Sequence, residues 1–245
     1  MSTLRRGPGL LPTIAAVIAL ALTLSAAKWQ FDRAAYKASL QADYVARQSA
    51  PALKLHEHAA KEGVDLRFRR VVANGEFLPE HGIYLDNRVR DGVAGYEVIM
   101  PLRMAETAAR PVMVNRGWVA RGAKRSEVPA VSTPAGRVTL IGTVVVPREE
   151  VFELSETTVE GRIWQNLVLS RYRAATGLDV MDFVIQQDND AGDGLLRRWT
   201  PPNYGIDTHR TYAVQWLIFA SLIVFFYVYY GFIRARPQTG GSPQE

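Results

Sequence analysis

Residues 211–233 read TYAVQWLIFASLIVFFYVYYGFI, 23 positions without a charge, stopped by Arg234 and Arg236. A run of that length and density is a membrane-spanning helix rather than the core of a soluble domain, because about 20 apolar residues at 1.5 Å per residue match the hydrocarbon thickness of a bilayer. Tyr227, Tyr229 and Tyr230 near one end, and Tyr212 and Trp216 near the other, are placed like the aromatic belts of the two interfaces.

At the other end of the chain, residues 7–27 (GPGLLPTIAAVIALALTLSAA) also carry no charge. They are expected to form a first span of roughly 31 Å. A cleaved signal peptide is the competing reading, with Arg5 and Arg6 as its basic region and Ser25-Ala26-Ala27 as its processing site. The run exceeds the usual apolar stretch of about 7–15 residues, which favours the span. Two spans put both termini on one side, and the basic outer ends assign that side to the cytoplasm. A six-residue leader is short for a mitochondrial transit peptide, so the expected location is the inner membrane of a bacterium, with residues 28–209 exported to the periplasm.

Composition excludes several classes. The chain of 245 residues has no cysteine, which removes disulfides, thiolate metal sites and thiol redox chemistry. The net charge of +5 comes from 29 basic residues dispersed among 24 acids, so no nucleic-acid partner is expected. Nucleophile-elbow, phosphate-loop, dinucleotide and His-Glu-x-x-His signatures are missing, so no enzyme is expected. His56 and His58, with His81, would share a metal only if the first two lay on a strand, and their surroundings read as a surface helix or loop. The run Asp188-Asn189-Asp190-Ala191-Gly192-Asp193-Gly194 lacks the glutamate at its twelfth position that a calcium loop needs, and it reads as a solvated turn.

Between the spans, Trp29, Arg33, Tyr36, Leu40 and Tyr44 recur at helical steps, extending the first helix as a stalk to about Gln48 before Pro51 stops it. Beyond Gly63 the pattern changes to short β-branched and aromatic runs at 66–77, 83–89, 95–102, 111–119, 137–147, 162–166 and 182–187. One helix interrupts them at 167–176, capped by Gly177. The expected fold is therefore an α+β membrane protein: a first helix at 7–27, a mostly antiparallel β-rich domain at 28–209 with a stalk and one internal helix, a second helix at 210–233, and a disordered polar tail at 234–245.

The residue that invites a functional reading is His209, beside the second span. On a helix it shares a face with Tyr212, Ala213 and Trp216, at three, four and seven residues. A neutral imidazole over aromatic and small side chains at a membrane surface fits a flat, iron-bearing ring, and Arg197, Arg198 and Arg210 stand near it in sequence to meet carboxylates. The bland alternative is a His and a Trp that anchor the helix at the interface while the alanines pack against the first span. Trp29, at the exit of the first span, is an anchor in one reading and a wall of the site, facing Trp216, in the other.

Taken in order, these residues resemble the Surfeit locus (Shy-type) assembly factors of cytochrome c oxidase. The likeness lies in Trp29-Gln30 with Arg33 and Lys37; in Arg69-Arg70-Val71 leading to Gly75-Glu76-Phe77; and in Asn87-Arg88 followed by Gly95-Tyr96. It continues in Val114-Asn115-Arg116-Gly117-Trp118-Val119 and closes with His209, Tyr212-Ala213 and Gln215-Trp216. The resemblance implies a membrane assembly factor that accepts haem a from haem a synthase, holds it as transient cargo with His209 on the iron, and presents it to the oxidase catalytic subunit. Trp29, Tyr212, Trp216 and Arg210 would complete the site. A scaffold that holds oxidase subunits through its exported domain without haem is the alternative. Asn115-Arg116-Gly117-Trp118 has a structural reading that needs no ligand: a strand bent at Gly117, a buried Trp118, and Asn115 or Arg116 satisfying backbone carbonyls.

Overall fold

A computed structural model describes residues 8–58, 64–105, 110–122, 128–148 and 159–233. The expected tail at 234–245 and the basic residues Arg5, Arg6, Arg234 and Arg236 lie outside them. The chain divides into two compact units, one made of its two ends up to Asp43 and from Pro202, the other of Tyr44–Pro201.

The terminal unit is a pair of long helices, α1 (Leu10–Ser49) and α4 (Ile206–Val228), the second running on as a π turn over Tyr229–Ile233. Both are long and apolar enough to cross a bilayer. Pro12 is tolerated because the first-turn N–H groups of a helix have no partner within it, and α1 stops at Ser49, just ahead of Pro51. Buried and half-buried residues of α1 form a stripe in alternating steps of three and four, Thr13, Ala16, Leu20, Thr23, Ala27, Gln30, Ala34 and Lys37, flanked by the half-buried Ala19, Ala26 and Ala38. Those of α4 do the same: Ile206, His209, Ala213, Trp216, Ala220, Ile223 and Tyr227. Two such stripes form a coiled-coil seam. Thr13 Oγ1 and Tyr227 Oη are hydrogen-bonded at 2.9 Å, and Gln30 Oε1 meets His209 Nδ1 at 2.7 Å, so the helices run antiparallel. That register, carried along the stripes, sets Leu20 level with Ala220 and Ala27 level with Ala213. Ala27, Ala34, Ala213 and Ala220 are the buried residues of the pair. Small side chains let helix backbones approach where lipid supplies no hydrophobic drive between them.

The second unit is a β domain. Its strands are β1 (Leu53–Lys54), β2 (Arg70–Phe77), β3 (Ile83–Arg90), β4 (Val93–Met104), β5 (Val112–Ala120), β6 (Arg137–Val145), β7 (Val159–Glu160), β8 (Ile163–Trp164) and β9 (Val184–Gln187). A one-turn helix α2 (Leu55–His58) and the helix α3 (Leu169–Thr176) complete it. Six strand pairings are antiparallel, while β1–β2, β3–β8 and β5–β9 are parallel. Beyond the linear order β2-β6-β9-β5-β4, a further pairing joins β4 back to β2. Five strands therefore close into a ring, which satisfies the backbone groups an open edge would expose.

Inside the ring lie Val71, Ala73, Met100, Leu102, Val112, Val114, Leu140, Val144 and Ile185. On β5, Met113 points the other way, into a second cluster with Leu169, Tyr172 and Trp164 beneath α3. Alternate residues of a strand face opposite sides, so a strand with a core on each side must be apolar throughout, which is why 111–114 shows no polar alternation. Helix α3 begins two residues later than the spacing predicts and ends as expected: Gly177 is left-handed (φ 70°), its N–H bonded to Arg173 O at 2.9 Å. The Tyr172 hydroxyl, pushed up to about 12 by burial, donates to His81 O at 2.8 Å.

Candidate site at the His209 end of the helix seam

His209 sits one turn into α4, half-buried on the seam. An amide oxygen only accepts, so the 2.7 Å contact with Gln30 Oε1 puts a proton on Nδ1, and the neutral imidazole then keeps its lone pair on Nε2. That is the state in which an imidazole binds iron, and a second partner on the other ring nitrogen is the usual device for holding a ligand histidine in one orientation. Trp29 stands edge-on to the ring, with centroids 6.4 Å apart and planes at 86°. Trp29 is 60% exposed.

The structure thus brings Trp29 and His209 together, and adds Gln30, which the family resemblance includes without a role. The signal for Gln30 was present: it is four residues before Ala34 and three after Ala27, on the stripe that packs against α4. Pairing it with His209 required the antiparallel register, which neither helix reveals alone.

Other expectations change. Trp216 lies on the seam with Phe219 as its ring partner at 5.7 Å, while Trp29 packs against the His209 ring instead. Tyr212 is off the seam and 49% exposed. Arg210 is exposed and paired with Asp207 at 3.6 Å, because the 100° between successive helical residues turns it away from the side of His209 that faces α1. Arg197 belongs to the β domain, buried, with two hydrogen bonds to Asp193 at 2.6 and 2.7 Å. Arg198 pairs with Asp91 at 2.5 Å in a pocket of about 490 Å³ that also holds Arg88, Arg90 and Glu97.

The strand motif takes its structural reading. Gly117 has φ 140°, and a Cβ there would lie 2.9 Å from Leu195 Cβ. Trp118 is buried and donates through Nε1 to Arg88 O at 2.6 Å. Arg116 donates to Ser132 O, Thr133 Oγ1 and Asp193 Oδ2, each at 2.8 Å. Burial would raise the Asp193 carboxyl, yet hydrogen bonds from Arg197 and the Leu195 N–H, with the charges of both arginines, hold it below the ordinary carboxylate range. Burial pushes the Arg116 guanidinium down against the pull of Asp193. The acidic run is therefore only partly a solvated turn: Asp190 closes a turn onto the Gly192 N–H at 3.0 Å, while the side chain of Asp193 is 2% exposed and clamps two cations.

His56 and His58 lie on the single turn α2, where residues two apart point to different sides; His58 Nδ1 is 3.1 Å from Lys54 O and His56 Nε2 is 3.8 Å from Glu57. Among the described residues no group of three or more His, Asp or Glu is placed to hold a metal ion.

Two helices long and apolar enough to cross a membrane, joined antiparallel at a histidine and with a closed β domain between them in sequence, are compatible with membrane anchoring and carry the candidate site. Residues 17–221 match the SURF1 family, and the chain belongs to that family. It is similar to uncharacterized SURF1-like proteins of Mycobacterium bovis and of two Mycobacterium tuberculosis strains, 28% identical over 186 residues. The match covers 73% of this chain and 66% of each relative.

Proposed function

We propose that this protein is an assembly factor for cytochrome c oxidase in a bacterial inner membrane, receiving haem a from haem a synthase and holding it at His209 for the catalytic subunit. Family membership supports the assembly role. The observation that carries haem binding is the Gln30–His209 hydrogen bond, which leaves Nε2 unprotonated at the end of an apolar seam beside an exposed indole. A hydrophobic cargo is best held at membrane level, since each methylene kept from water is worth roughly 0.8 kcal/mol. The reading asks for binding and release, without catalysis. The β domain would lie in the periplasm and both termini in the cytoplasm.

The test is the visible spectrum of the protein purified from cells that make haem a. His209→Ala should abolish or strongly weaken the haem absorbance with the amount of membrane protein unchanged. A variant with full haem content would overturn the ligand role, and a wild type without haem would favour a scaffold acting through the β domain.

A further inference from the structure

The described part of the helix unit contains four cations, Lys28, Arg33, Lys37 and Arg210. Lys28 is bonded to Asp32 at 2.6 Å and Arg210 is paired with Asp207 at 3.6 Å. Arg33 and Lys37 have no carboxylate partner among the described residues. They are also the two whose positive charges bear on the His209 imidazole. Arg33 lies one turn beyond Trp29 on the same face of α1, its guanidinium 5.3 Å from the Tyr36 ring centroid. Lys37 lies one turn further, on the seam, with Nζ 3.7 Å from where a Cβ on Gly205 would stand, just ahead of α4.

A run of groups therefore climbs α1 from the apolar side: the Trp29 edge, the Gln30 amide holding His209, then two cations with no carboxylate partner among the described residues. Such an order matches a ligand that is flat and apolar where it meets Trp29 and His209 and anionic one to two turns nearer water. Arg197, Arg198 and Arg210, the arginines that sequence neighbourhood suggested for that task, are each engaged by a carboxylate.

We propose that Arg33 and Lys37 bind the two carboxylates of the haem whose iron His209 ligates, so that both cations read the acid groups of the cargo. This rests on the function proposed above. A lipid headgroup is the other anion available at that depth, and the experiment separates the two.

Wild type, Arg33→Gln, Lys37→Gln and the double variant are placed in nanodiscs of zwitterionic phosphatidylcholine and titrated with haem b and with haem b dimethyl ester, in which both carboxylates are masked. With about fivefold for each partly exposed charge pair, wild type should prefer the free acid by about 25-fold, each single variant by about fivefold, and the double variant not at all. The absorption band of histidine-ligated haem should persist in all four. Equal wild-type affinity for acid and ester, with that band intact, would overturn the proposal and assign the cations to lipid while leaving haem binding in place. No haem band in wild type with either probe would overturn both. Because the acid–ester comparison is made within wild type, the result does not depend on any variant folding.

Discussion

His209 Nδ1 and Gln30 Oε1, 179 residues apart in sequence, meet at 2.7 Å, a shorter contact than the Thr13 Oγ1–Tyr227 Oη bond that also joins helices α1 and α4. Gln30→Leu removes the acceptor and frees the imidazole to take either tautomer and to turn. We predict a loss of haem affinity of about 10–100-fold, the usual effect of removing a ligand's supporting partner. Gln30→Glu keeps an acceptor and makes it anionic, which should retain haem and lower its reduction potential by making the imidazole more basic. Redox titration of the two variants checks this, and an unchanged affinity in Gln30→Leu would leave the contact a helix clasp only.

The seam makes its own prediction. Ala27 and Ala213 are buried and level with each other, so Ala213→Leu forces the helices apart and should cost about 1–3 kcal/mol of helix association. Because the chain has no cysteine, the register can be read directly by cross-linking. The pair Ala27→Cys with Ala213→Cys should oxidise to a disulfide in the membrane, while Ala27→Cys with Val214→Cys should not. The reverse result would place the seam on another face.

Asp193 neutralises two buried arginines, and Asp193→Ala would leave Arg116 without a carboxylate among the described residues and Arg197 with only the exposed Asp190 at 3.4 Å. A loss of about 3–5 kcal/mol is expected in thermal or denaturant unfolding of the β domain. The carboxyl sits below its ordinary value of 3.8 in the fold, so its contribution is complete above that value and is lost as the pH falls through the lower folded one. Between neutrality and pH 5 the cluster should therefore add no pH dependence to stability. A steep loss in that range would contradict the assignment.

Gly117→Ala adds a methyl group to backbone at φ 140° and drives it into Leu195 and Leu196. The Trp118–Leu196 backbone bridge, with N–H to O distances of 2.8 Å in both directions, lies beside it and should open. We predict a destabilisation of about 2 kcal/mol or more, with a red shift of tryptophan fluorescence as Trp118 meets water. A stable variant with an unchanged emission maximum would show that the glycine at the strand bend is not required.

Orientation is checked by single cysteines. Arg121→Cys, exposed at the end of β5, should react with a membrane-impermeant thiol reagent in intact spheroplasts, and Ser242→Cys should react only after lysis. The opposite pattern would reverse the topology.

Elements that depend only on local composition were legible from the residues alone. Two uncharged runs specify two long helices, because a helix satisfies its own backbone hydrogen bonds and nothing distant is needed to call for it. Pro51 ended α1 and Gly177 ended α3 for reasons confined to one or two residues. Runs of β-branched residues located β2 to β6 and β9 with errors of a few residues at their ends. The two-residue strands β1 and β7 escaped, since so short a piece has no pattern and exists only through its partner.

Long-range partners emerged only once the chain was folded. No spacing rule relates β2 to β4, so closure of the five-strand ring was not legible. Arg197 and Arg198 are near His209 in sequence, but carboxylates of the β domain engage both, Asp193 holding one and Asp91 the other. Arg33 and Lys37 are more than 170 residues from His209, yet they are the cations that bear on it. Charges choose partners by distance and dielectric after the chain has folded, and sequence separation enters neither quantity. The histidine was visible as a candidate because it stands at the edge of an apolar run. Its tautomer, its clasp on Gln30 and its companions on α1 follow from the antiparallel packing of two helices, a relation that exists only between them.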